Sequence, residues 1–138
     1  MRDPGNLGSV IRSAVAFGAE IIIISSDCAD VYNPKTIRAA MGSLFKVEIL
    51  ISDDLCRTVS ELRRSGRRVF AAELRDNAVS VDEIALNTKD IVIIGNEGHG
   101  IDEKLSSLCD GSVYIPISSN AESLNASVAA AIFMREQK

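Results

Sequence analysis

Short runs of consecutive apolar residues alternate along this chain with stretches of helical periodicity, and that alternation is its strongest constraint on the fold. Ile21–Ile24 and Ile91–Ile94 contain no polar residue. Strands that are apolar at every position are buried on both faces, as in parallel sheets covered by helices. Strands are predicted over residues 20–25, 46–51, 67–73, 90–94 and 112–117. Between them, Leu7, Val10, Ile11, Ala14 and Phe17 follow helical spacing, with Asn6 as the predicted N-cap and Gly18 as the terminator. Asn33-Pro34 opens a second helix carrying Ile37, Ala40 and Met41. A third runs from Asp53 to Arg64, turns Leu55, Val59 and Leu62 inward, and is closed by Gly66. Ser80-Val81-Asp82-Glu83 has capping-box spacing and predicts a short helical turn. Ile101 to Leu108 is a short helix, and the chain ends in another that places Leu124, Val128, Ala131 and Ile132 on one apolar face. The expectation is an α/β fold, a parallel sheet flanked by helices, forming one unit over residues 1–138 without repeat or linker.

Composition narrows the function classes. The net charge of −4 gives no global basic field to gather nucleic acid, so an RNA role needs a local patch or a partner domain. The densest basic cluster is Arg57, Arg63, Arg64, Arg67 and Arg68; it can touch phosphates or be a solvated helix C-terminus. Cys28, Cys56 and Cys109 are scattered, and His99 is the only histidine, so no metal site is expected. No apolar run is long enough to span a bilayer and no signal-peptide pattern opens the chain, which predicts a reduced, cytoplasmic protein without membrane contact.

Three polar segments stand out. The first, Asn6 to Arg12, is a helix start beside Gly5 and Gly8; it reads either as a capped helix with a solvated Arg12 or as a place where a ligand comes close. The second, Gly95-Asn96-Glu97-Gly98-His99-Gly100, directly follows an apolar strand, where ligands of parallel sheets bind. It is no phosphate-binding loop, because it lacks the Gly-Lys-Ser/Thr signature and holds a carboxylate. A tight turn or a seat for a neutral or cationic ligand, or for an arginine, fits it equally. The third, Ser118 to Asn125, also follows a strand and crowds Glu122, Ser123 and Asn125 into the start of the last helix. Together these segments supply an arginine, a carboxylate, hydroxyls and a carboxamide, but no nucleophile–base pair. Such an inventory suits polarising and positioning a substrate rather than covalent catalysis.

These segments also resemble a known family. Asp3-Pro4-Gly5-Asn6-Leu7-Gly8 with Ile11-Arg12 and Ala16-Phe17-Gly18 resembles the first motif of the SpoU (TrmH) family of RNA ribose 2′-O-methyltransferases, within the SPOUT class. Ile93 to Ile101 is similar to its second motif, and Ile115-Pro116-Ile117 with Glu122 to Ala129 to its third. Arg38 to Phe45 resembles an intermediate family segment. The motifs occur in the family's order over nearly the whole chain. The resemblance implies a C-terminal trefoil knot from about Gly95 to the last helix, and a bent S-adenosylmethionine held in it by Gly95, Ile115 and Leu124, with Ala72 a further contact. It also implies a homodimer with the active site at the subunit interface, and tRNA or rRNA as substrate. Finally, it implies that the chain lacks the family's first strand, which would leave a gap in the sheet, and the N-terminal substrate-binding domain.

For catalysis the resemblance points to Asn6, Arg12, Glu97, Ser123 and Asn125. Arg12 would activate the 2′-hydroxyl or stabilise the developing alkoxide, Glu97 would orient Arg12 or the loop, and Ser123 and Asn125 would position the ribose. A guanidinium loses its proton too reluctantly to be an easy base, which favours the electrostatic role. The competing expectation is a non-catalytic knotted module that binds cofactor, RNA or protein.

Overall fold

The structure, a computed structural model, describes residues 1–138. Strands and helices alternate: α1 (Pro4–Ala16), β1 (Ile21–Ser25), α2 (Pro34–Ala40), β2 (Glu48–Ser52), α3 (Leu55–Arg64), β3 (Val69–Ala72), β4 (Val79–Ser80), β5 (Ile91–Ile94), α4 (Glu103–Ser107), β6 (Gly111–Tyr114) and α5 (Ala126–Glu136). A 3-10 turn, Ser43–Phe45, joins α2 to β2. The five predicted strands are present with shifted ends: β6 starts at Gly111 and leaves Ile115-Pro116-Ile117 outside it, β2 starts at Glu48 and runs on to Ser52, and the strands pair in parallel throughout.

They form two sheets, an interrupted parallel array in keeping with the gap that the family resemblance implied. β1 pairs only with β2, and the other four run in the order β4-β6-β3-β5. The core divides in the same way. Leu7 and Ile11 of α1 pack with Ile24, Val31, Ala40 and Leu44 beside the first sheet. On the second sheet, β3 turns Phe70 to one face, with Val81, Leu86, Val113 and Phe133, and Val69 to the other, with Val59 and Leu105. The period-2 alternation of a strand buried on both faces is thus realised in β3. β1 does not match that expectation: only Ile24 is buried and Ile21 is exposed. Apolar runs identify strands, but whether both faces are covered depends on pairing and on helices that sequence periodicity does not assign.

Local differences have local causes. Asp3, not Asn6, caps α1: its carboxylate accepts from the Asn6 amide at 2.8 Å, and Pro4 takes the first helical position. The predicted helical turn at Ser80 is the short strand β4 followed by a turn, in which Ser80 Oγ accepts from the Asp82 amide and its carbonyl from Glu83. The capping spacing was satisfied by a turn, and the preceding Val79-Ser80 pairs with β6. In α5 the buried residues are Ala130 and Phe133, whereas Leu124 precedes the helix and Val128 is exposed.

The basic cluster is largely engaged inside the fold. Arg57 pairs with Glu61 one helical turn on, and Arg67 donates to the Lys89 carbonyl. Arg63 donates to Asp110 and the Leu108 carbonyl, while Asp110 accepts from the Val69 amide at 2.8 Å, which ties α3 to the starts of β3 and β6. Arg68 donates to the buried Asp90, which also receives the Asn87 amide, and stacks over Phe70 at 5.3 Å.

Burial pushes the Asp90 and Asp110 carboxyls up, but the arginines and backbone amides outweigh it and hold both below the usual range. A carboxyl depressed on folding contributes stability above its unfolded value, near ~4, and loses it as pH falls through the folded value. Resistance to urea is therefore expected to fall as pH drops below about 4. Asp90→Asn should flatten much of that slope and lower stability at neutral pH by about 1–3 kcal/mol, measurable by the same titration.

Candidate active site

Three parallel strands, β5, β3 and β6, end on one edge, with Ala72 level with Ile94 and Val113. Gly95 and Ile115 are the next residues out from β5 and β6. Parallel alignment therefore brings three of the four predicted cofactor residues, Ala72, Gly95 and Ile115, to a common edge. Leu124, the fourth, lies in the loop before α5, about one-third exposed at 36%.

The glycine loop leaves β5 and folds back on itself. Asn96 and Gly100 exchange backbone hydrogen bonds of 2.9 and 2.8 Å, and Asn96 Oδ1 accepts from the Gly98 amide. A Cβ at Gly95 would stand 2.6 Å from the Gly100 carbonyl carbon, so only glycine permits this closure. The loop thereby directs Glu97 back across the sheet edge.

There the motifs meet. Asn6 Nδ2 donates to Glu97 Oε1 at 3.2 Å, and Asn125 Nδ2 donates to Asn6 Oδ1 at 3.0 Å. Asn125 Oδ1 accepts from the Ser127 amide at 2.9 Å and from Ser127 Oγ at 2.6 Å. This directed relay, Ser127 to Asn125 to Asn6 to Glu97, joins residues far apart in sequence. Asn125 is also the N-cap of α5, so one carboxamide both starts the helix and points its NH2 into the site. Partial burial raises the Glu97 carboxyl, but its own backbone amide and Asn6 outweigh that and keep it below the usual range. Glu97 is thus an anion at neutral pH and can only accept hydrogen bonds.

The relay unites three of the five predicted catalytic residues: Asn6, Glu97 and Asn125. Arg12 and Ser123 are exposed and make no ion pair or side-chain hydrogen bond. Glu97 therefore holds Asn6, not Arg12 as one expectation had it. Arg12 lies about two turns beyond Asn6 on α1, outside the reach of that carboxylate's present bond.

Sequence reasoning missed two contributors. Ser127 locks the orientation of Asn125; its position two residues after an N-cap asparagine was the available signal. Glu73, directly after β3, accepts from Ser106, from Ser112 at 2.7 Å and from Arg75 at 2.9 Å, bracing the sheet edge against α4. Nothing in the local sequence marks that brace, because its partners lie on other elements. The site holds no activated thiol: burial pushes the Cys109 thiol up to about 11, with Glu73 and Asp110 adding to it.

The edge suits a cofactor bound through backbone groups. The C=O of Gly95 and the N–H and C=O of Ile115 have no hydrogen-bond partner within the chain. Polar backbone at a half-buried edge, next to the aliphatic Ile115, offers donors and acceptors beside an apolar wall, which fits a nucleoside with an organic cation better than a phosphate.

Comparison with known proteins places these features in context. The family model described as "SpoU rRNA Methylase family" matches residues 1–135. A 23S rRNA (guanosine(2553)-2′-O)-methyltransferase of Bacillus subtilis (strain 168), RlmP, is 39% identical over 134 residues, covering 97% of this chain and 53% of that protein. The SpoU methyltransferase AviRb from Streptomyces viridochromogenes, solved in complex with the cofactor AdoMet, superimposes with a TM-score of 0.86 at 34% identity, covering 98% of this chain and 55% of the other. An AdoMet-bound rRNA methyltransferase from Sinorhizobium meliloti gives a TM-score of 0.88 at 34% identity, covering 98% and 51%. The chain spans about half the length of the curated relatives it matches.

If Ser127 fixes Asn125, Ser127→Ala should change the side-chain amide proton resonances of both Asn125 and Asn6 while lowering stability by no more than about 1 kcal/mol. Ser127→Thr should preserve them. Amide NMR of the two variants checks this; unchanged resonances in Ser127→Ala would show that the hydroxyl does not orient the relay.

Proposed function

The chain belongs to the SpoU rRNA methylase family, and from that premise we propose that it transfers a methyl group from S-adenosylmethionine to a ribose 2′-hydroxyl of tRNA or rRNA. The observation that carries this reading is the relay: Asn6, Glu97 and Asn125, each from a different motif, are hydrogen-bonded together beside the edge where Gly95 and Ile115 leave backbone groups unpaired.

Gly95, Ile115, Leu124 and Ala72 are the residues proposed to hold the cofactor. When bound, it supplies a methyl group activated by a sulfonium. What the chain itself contributes is positioning and electrostatics. A ribose 2′-oxygen is a weak nucleophile until its proton is drawn away, and it must be held in line with the bond being broken. Asn6 and Asn125 present carboxamides whose orientation is set by the relay, so they meet the ribose without reorganising. Ser123, free of other bonds, can turn its hydroxyl toward the same sugar. Arg12, also unpaired, is available to a phosphate or to the developing alkoxide. Glu97 holds the relay's direction by accepting from Asn6.

Two structural features of the family are part of the proposal. The knot would involve the segments leaving β5 and β6, including the loops that carry Glu97 and Asn125. The homodimer would use the apolar groove between α1 and α5, where Phe17 and Val128 are exposed side by side with Ser13 and Ile132. A second copy docked there would come close to the start of α5, where the relay lies. No helix of the structure is long and apolar enough to cross a membrane.

The rival reading, a non-catalytic module, draws support from Arg12 and Ser123 standing outside the relay. Calorimetric titration with S-adenosylmethionine, with the mass in solution measured on the same preparation, separates the two. Micromolar binding to a dimer is expected. Methyl transfer to RNA should then disappear when the acceptor's 2′-hydroxyl is removed. Arg12→Lys should keep cofactor affinity and lower turnover by about 10²-fold or more; wild-type turnover would remove Arg12 from the chemistry.

A further inference from the structure

The segment from Tyr32 to Lys46 exposes apolar side chains that the fold does not use. Phe45 is 81% exposed, and Tyr32 and Met41 are each 69% exposed. Leu44, beside Phe45, is buried in the cluster with Ile11 and Ala40, so the 3-10 turn is anchored while Phe45 is held outward. Met41 has a positive φ of 51°, which only a tightly specified turn imposes on a non-glycine residue, and Gly42 follows at 79°. Arg38 and Lys46 are exposed, and neither makes an ion pair or a side-chain hydrogen bond, unlike Arg57, Arg63 and Arg68.

α1, the helix that carries Arg12, packs against this segment. Along α1, a Cβ at Gly5 would meet Lys35, and one at Gly8 would stand 2.5 Å from the Thr36 carbonyl and 2.6 Å from the Ala39 Cβ. The two helices therefore run in the same sense, and Gly5 and Gly8 face α2. Arg12, one turn beyond Gly8 on that stripe, falls toward the C-terminal end of α2, where Met41, Gly42 and the 3-10 turn lie.

We propose that Phe45, Met41, Arg38 and Lys46 form a binding surface for an unpaired RNA stretch flanking the target ribose, with a base stacked on Phe45 and phosphates held by the two cations. The proposal rests on the RNA-methyltransferase reading. Exposed aromatics between unpaired cations match single-stranded nucleic acid, whose bases stack and whose phosphates complement the charge. A second copy fits less well: an isologous contact through this face would bring Arg12, Arg38 and Lys46 toward their own copies.

The chain contains no tryptophan, so Phe45→Trp creates a single reporter. Titrated with an oligouridylate of about ten nucleotides, its fluorescence should be quenched saturably, and far less by a duplex RNA of that length. Phe45→Ala should weaken the wild-type affinity for the oligonucleotide roughly tenfold. Arg38→Gln and Lys46→Gln should each reduce the salt dependence by about 0.7 in log–log slope. Absence of quenching, or unchanged affinity in Phe45→Ala, overturns the proposal. So does conversion of a dimer to a monomer by Phe45→Ala at unaltered RNA affinity, which would make the surface a subunit contact. S-adenosylmethionine affinity, measured in parallel, should not change in Phe45→Ala. Cofactor binding and methyl transfer with no quenching would defeat this surface alone; quenching without methyl transfer would defeat the catalytic reading alone.

Discussion

A carboxylate that stays ionised has no proton to give, and that asymmetry orders the whole candidate site. Because Glu97 can only accept, Asn6 must present its NH2 to it and its carbonyl oxygen to the other side. Asn125 must then offer its own NH2 to that oxygen, which leaves its carbonyl for the two donors of Ser127. Every carboxamide in the line has one permitted orientation. Two short polar side chains that would each be ambiguous alone become fixed dipoles, and a fixed dipole does not have to reorganise when charge develops beside it.

The relay exists only because α1 is placed accurately, and glycine is what allows it. At Gly8 the helix comes so close to α2 that a side chain would collide with backbone, not with a movable neighbour. On its other side α1 packs against α5, the helix that Asn125 begins. α1 thus spans the distance between the helix beside the first sheet and the helix that covers the second. Asn6 sits in its first turn, where it can reach elements belonging to both halves. The glycine closure at Gly95 does the same for Glu97, returning the loop over the sheet edge instead of letting it extend into solvent.

What the sequence disclosed follows from the range of the forces involved. Strands, most helix limits and the caps at Asn33 and Gly18 depend on neighbours within a few residues, and they were legible. The division into two sheets agrees with the gap that the family resemblance implied, whereas the strand order on either side of it was not legible, since it depends on which strands pair. The buried face of α5 was misjudged for a related reason: Leu124, Val128, Ala131 and Ile132 are a valid apolar stripe, but the buried residues are Ala130 and Phe133, and Phe133 meets the sheet. Asp3 displaced Asn6 as the cap because Pro4 pre-sets the first helical φ, a local signal that outranks the residue next along. At the site, residue identities came from motif order, whereas the bond from Glu97 to Asn6 instead of to Arg12 is a matter of distance that no motif encodes.

Charge shows the same separation between composition and arrangement. A chain of net −4 is a poor candidate for RNA by total charge. In its densest arginine cluster, Arg57, Arg63 and Arg68 are already neutralised by Glu61, Asp110 and Asp90 and brace α3 and β3, which leaves only Arg64 and Arg67 without a carboxylate. Counterion release depends on cations that phosphates can reach without first breaking an internal pair. Arg12, Arg38 and Lys46 meet that condition, as does Arg64, whereas Arg57, Arg63 and Arg68 of the conspicuous cluster do not. Local availability of charge, set by which carboxylates the fold has already consumed, therefore outweighs the sign of the total in deciding where an anionic polymer can approach.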